Sequence, residues 1–163
     1  MDVAEVFGAN EIVSVQKFTI YLPDKDRFHK PIPDFDLWTE TATILLAAVS
    51  DGATLLPPAV GVWNDDGGRQ LGQTSLVYTY IKDVLRFERE IDRVVRFLHT
   101  FGLRTNQDMV FIERSGEFLV AGAHGGTEIR YSARSYRITD FSRAADPLIP
   151  FDDLLDTLLL GLV

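Results

Sequence analysis

Cysteine is absent from the 163 residues, which excludes a disulfide framework, a thiolate metal site and a cysteine nucleophile. Histidine is scarce. His29, His99 and His124 fall in a loop, at a helix end and in a Gly-rich turn, without His-x-x-x-His or comparable spacing. No metal site is therefore expected, and each histidine has an ordinary reading as a surface or capping hydrogen-bonder. Long apolar runs are also missing: residues 44–49 and 154–163 are far shorter than the roughly 20 residues that cross a bilayer. The first ten residues carry Asp2 and Glu5 and lack a basic segment followed by an apolar one, so no secretory signal is read and a cytoplasmic setting without a membrane is expected. Positive charge is in deficit, with 16 Lys and Arg against 24 Asp and Glu, and the net charge of −8 repels nucleic acid phosphates and anionic lipid.

What is present is an ordinary globular balance, 46% hydrophobic and 25% charged, with no repeat, linker or low-complexity tract. One domain, 1–163, is expected. Residues 13–22 (VSVQKFTIYL) alternate as a strand, with a phase change near Gln16 that predicts a bulge or two-sided burial. Asp34 stands as N-cap before a helix over 35–50 whose apolar face is Leu37, Thr41, Ile44, Leu45 and Ala48, with Gly52 as its stop. Pro57 and Pro58 delay the second strand to Ala59, and the Asn64 to Gly68 turn leads to a third strand over 75–81. Asp83 caps a second helix with a stripe of Val84, Phe87, Ile91, Val94, Val95, Leu98 and Phe101, closed by Gly102. Residues 109–113 and 117–121 then read as a hairpin about Arg114-Ser115-Gly116, followed by a strand over 128–136 and a helix over 151–163.

This pattern predicts an α+β fold: a ferredoxin-like β-α-β-β-α-β sandwich over about 13–121, with an antiparallel sheet. A C-terminal extension over 122–163 adds a strand and a terminal helix. Residues 52–81 hold a Gly after the first helix, then Gly61-Val62-Trp63, an acidic-Gly turn and the third strand. Phe97-Leu98-His99 runs on to Asn106-Gln107. Over 52–107 the chain resembles a family of small bacterial ferredoxin-like proteins of unknown function. The resemblance implies the fold and supplies no catalytic residues.

Candidate site residues form three groups. Trp63, Tyr78, Tyr80, His99, Arg104, Asn106 and Gln107 could line a pocket between sheet and helices, with Arg104 gripping a carboxylate or phosphate. The plainer reading is that Asn106 and Gln107 build a turn and Arg104 satisfies helix-end carbonyls. Arg86, Arg89, Arg93 and Arg96 lie within about 80° of arc on the second helix, a ridge for polyanions or, with Glu88, Glu90 and Asp92 beside it, a salt-bridged solvated face. Leu154, Leu155, Leu158, Leu159 and Leu162 leave the terminal helix almost without a polar face, so it must dock on its own domain or on a partner subunit. Glu113 and Glu117 could act as acid and base only in opposed environments. Asn64, Asp65 and Asp66 supply too few converging oxygens for a cation. Neither a phosphate loop ending in Gly-Lys-Ser/Thr nor a Gly-x-Ser-x-Gly elbow occurs, and no cofactor is expected.

The leading expectation is a non-catalytic binding or assembly protein that self-associates or docks a protein partner through the leucine-rich helix. The alternatives are a small dimeric enzyme or small anionic-ligand binder of ferredoxin-like form, and a nucleic-acid accessory protein using the arginine ridge.

Overall fold

The computed structural model describes residues 1–9, 15–65, 67–121 and 125–160, apart from the side chains of 63, 65, 119–121 and 127–129. In chain order the elements are α1 (Val3–Val6), β1 (Gln16–Pro23), α2 (Phe35–Ser50), β2 (Thr54–Leu55), β3 (Ala59–Asp65) and β4 (Gly68–Ile81). They continue with α3 (Val84–Arg104), β5 (Val110–Ala121), β6 (Thr127–Ile138) and α4 (Phe151–Leu158). Among the described residues six strands form one sheet, in the order β2-β4-β1-β5-β6, with β3 also paired to β4. Every pairing is antiparallel. The two β-α-β halves therefore interleave: β4 separates β1 from β3, and β1 separates β4 from β5. This is the expected ferredoxin-like arrangement, extended at one edge by β6.

The strand alternation decides which face is covered. Phe18, Ile20 and Leu22 are buried beneath the helices, whereas Lys17, Thr19 and Tyr21 alternate onto the other, open face, where Lys17 and Tyr21 are partly exposed and the small Thr19 is covered. Trp38 of α2 is the hub of the core, with rings of Phe97, Phe101 and Phe151 at centroid distances of 6.0, 5.4 and 5.7 Å. Such aromatic contacts add directional preference to the area they bury.

Several local expectations are corrected. The buried residues of α2 are Trp38, Thr39, Thr41, Ala42, Leu45, Leu46, Val49 and Ser50, while Leu37 and Ile44 are exposed: the face turned inward is the one that carries the Trp38 ring. Asp34 precedes α2 with a left-handed φ of 54° and makes no side-chain cap, and the helix stops on Asp51 at φ 73°, one residue before Gly52. Gly102 does not end α3. The helix runs on to Arg104, and the glycine within it makes room for the Phe141 ring, which fills the space where a Cβ would be.

The predicted hairpin about Arg114-Ser115-Gly116 is instead one continuous strand, β5, paired along its length with β6. Gly116 has a φ of +138°, and a Cβ there would stand 2.8 Å from Gln16 Cα, so this glycine permits the close passage of β1 rather than a turn. β4 likewise begins at Gly68 instead of residue 75, since β3 pairs with it out to Asp65↔Gly68. Expectations concerning residues 13–14, Asp66, His124 and Leu162 lie outside the described residues.

The terminal helix docks on its own chain. Leu154 and Leu158 are buried against the core, and Leu155 and Leu159 pack at its margin. Arg104 donates to Ile149 O, and Arg93 Nη1 to Leu160 O at 2.9 Å, tying this segment to α3. Among the described residues no helix is long and apolar enough to cross a membrane.

Candidate functional site

A cleft of about 620 Å³ opens where the open sheet face meets three loops. Its floor is a row across the sheet. Tyr21 of β1 pairs with Phe111 of β5, and Phe111 pairs with Arg137 of β6, so all three project on one face. The Tyr21 and Phe111 rings meet edge to face with centroids 5.0 Å apart. Burial, and secondarily the charge of Glu113 nearby, pushes the Tyr21 phenol above its ordinary range.

The walls are held by backbone and side-chain bonds. The β1–α2 loop is laced to β4 by Asp24 N to Gln73 O at 3.0 Å and by Gln73 N to Asp24 Oδ1 at 3.2 Å. Asp26 Oδ1 accepts from Phe28 N and Lys30 N at 2.8 and 2.9 Å, which closes the loop on itself. On the opposite wall Arg27 N donates to Asn106 O at 3.1 Å, Gln107 Nε2 donates to Lys25 O at 3.1 Å, and Arg27 Nε pairs with Asp108 at 3.3 Å. The β3–β4 hairpin supplies Asn64 and residues 70–74. A concave volume of this size with an aromatic floor and fixed polar walls is the form small-molecule sites take.

No family model and no curated protein matches the chain. Two solved structures do. A phage SAM lyase in complex with S-methyl-5'-thioadenosine aligns with a TM-score of 0.51 at 13% identity, over 80% of this chain and 95% of that one. A phage SAM lyase in the apo state aligns with a TM-score of 0.48 at 13% identity, over 78% and 91%. The first alignment shows a shared fold and no more.

Of the sequence-predicted ligand residues, Gln107 lines this cleft. Arg104 and Asn106 line a separate cavity of about 530 Å³, bounded by Trp38, Phe151 and Asp152. Asn106 takes the left-handed turn after α3, at φ 53°. His99 is buried, with Nδ1 accepting from Arg143 N at 3.0 Å. Tyr78 and Tyr80 meet at 5.7 Å on the open face, with Lys17 Nζ 4.2 Å from the Tyr78 ring centroid, away from the cleft. The Trp63 side chain lies outside the description.

On the arginine ridge, Arg86 pairs with Asp51, and Arg89 and Arg93 pair with Glu90 at 3.9 and 3.1 Å. Sequence reasoning missed Tyr21, Phe111 and Arg137 as a unit. They are far apart in the chain, and only the strand register brings them into one row.

Proposed function

We propose that the protein binds a small organic metabolite of about nucleoside size in the cleft over Tyr21 and Phe111. The observation that carries this reading is the conjunction of an aromatic floor with loop walls already bonded to one another, so that little ordering remains to be done on binding. The assembly reading loses its main support, because Leu154, Leu155, Leu158 and Leu159, the described leucines that motivated it, pack on the core of the same chain.

The fold neighbour, a SAM lyase with bound S-methyl-5'-thioadenosine, makes S-adenosylmethionine and that thionucleoside the first ligands to try. Isothermal calorimetry with each, on the wild type and on Phe111→Ala, tests the binding reading. Saturable binding weakened about tenfold or more by loss of the ring is expected. No binding of either molecule or of a wider nucleoside panel, or binding indifferent to Phe111→Ala, would overturn it.

A further inference from the structure

The charged groups of the cleft are unequally engaged. Among the described residues its three carboxylates already accept: Asp24 from Gln73 N, Asp26 from Phe28 N and Lys30 N, and Asp108 from Arg27. Among the described residues the Lys25 ammonium and the Arg137 guanidinium have no hydrogen-bond or ion-pair partner, although both line the cleft. In a chain where acidic residues outnumber basic ones by 24 to 16, two unpaired cations in one concavity run against the overall charge.

The position of Arg137 adds a geometric argument. It continues the cross-strand row Tyr21–Phe111–Arg137, and neighbours in such a row stand about 5 Å apart at Cβ. A flat ring resting on Phe111 and Tyr21 would therefore place a substituent one bond or two away within reach of the guanidinium fork, which matches a planar or tetrahedral oxyanion. Lys25, on the loop across the cleft, can approach the same group as a mobile point charge.

We infer that the cleft recognises an anionic group on its ligand through Arg137, assisted by Lys25, so that the ligand class is a ring-bearing carboxylate or phosphate ester. This deepens the binding reading above and rests on it.

The test holds the ring constant and varies the anion: adenosine, adenosine 5'-monophosphate and adenosine-5'-carboxylic acid are titrated by calorimetry at low salt into wild type, Arg137→Gln and Lys25→Gln. At least one anion is expected to bind about tenfold or more tighter than adenosine, and which one leads distinguishes phosphate from carboxylate recognition. Arg137→Gln should close most of the gap between that anion and adenosine, costing the anion far more than it costs adenosine, with a smaller loss for Lys25→Gln. Added salt should narrow the gap. Equal binding of all three by the wild type, or a gap that survives Arg137→Gln, overturns the anion assignment and leaves the cleft reading standing. If none of the three binds, this inference is overturned, and the cleft reading falls with it when S-adenosylmethionine, S-methyl-5'-thioadenosine and the nucleoside panel also fail to bind. Arg137 is exposed, so thermal unfolding of the variant should match the wild type and separates a binding loss from a folding one.

Discussion

At the residue scale, His99 shows how a lone histidine is put to structural use. Its Nδ1 accepts from the Arg143 backbone at 3.0 Å, and its ring meets Phe141 edge to face with centroids 6.2 Å apart, so it holds the chain after β6 against α3. An acceptor nitrogen must be unprotonated. Burial first, and the nearby Arg143 second, lower its pKa, with Asp140 opposing. The folded pKa lies below the unfolded value of about 6.5, so the stabilisation is complete above that pH and is lost as pH falls towards the lowered folded value. Urea unfolding at about pH 7.5 and about pH 5.5 should show a drop in stability for the wild type that is smaller in His99→Gln, whose amide needs no deprotonation. An equal drop in both would remove His99 from the account. Phe141 also explains Gly102, since a Cβ there would come within 2.2 Å of the ring. From sequence alone, a glycine near the end of a helical stripe reads as a stop, and nothing local announces that a ring from residue 141 needs its space.

At the element scale, the terminal helix decides between core and interface. Leu154 is fully buried and Leu158 nearly so, whereas Leu160 is 76% exposed. Leu154→Ala should cost about 2–5 kcal/mol in chemical denaturation, through lost burial and the cavity left behind. Leu160→Ser should stay within about 0.5 kcal/mol, as an exposed substitution does. A small loss at Leu154 accompanied by a change in sedimentation would return the helix to an interface role. The amphipathic stripe of α3 was legible because it repeats over five turns and places Phe87, Val94, Leu98 and Phe101 inside. The strand that crosses Gly116 was not. Ser-Gly between two β-rich runs has the composition of a turn, and only β1 passing over it, with Gln16 Cα where a side chain would be, shows why glycine is required in an extended strand.

At the scale of the whole molecule, charge and engagement together bear on nucleic acid. The chain carries a net charge of −8, and Arg86, Arg89 and Arg93 are held by Asp51 and Glu90. Arg86 and Arg93 also donate to Ala48 O and Leu160 O at 2.9 Å each, so they join helices instead of facing outward as a free ridge. Electrophoretic mobility of short duplex DNA and of RNA at low salt should be unaffected by the protein, where phosphate contacts would be strongest. A retarded band that Arg96→Ala abolishes would reverse this.

The amino-acid order by itself determined the α+β class, the interleaved β-α-β-β-α-β core and the added strand and helix, because period-two and period-3.6 patterns are local and report which side of each element must leave water. Tertiary structure alone decided that the leucine-rich helix closes on its own core, and that Tyr21, Phe111 and Arg137 share one row beneath a cleft. Both depend on register and packing between segments that are not neighbours in sequence, and a shift of one residue in either strand pairing would turn those side chains to the opposite face.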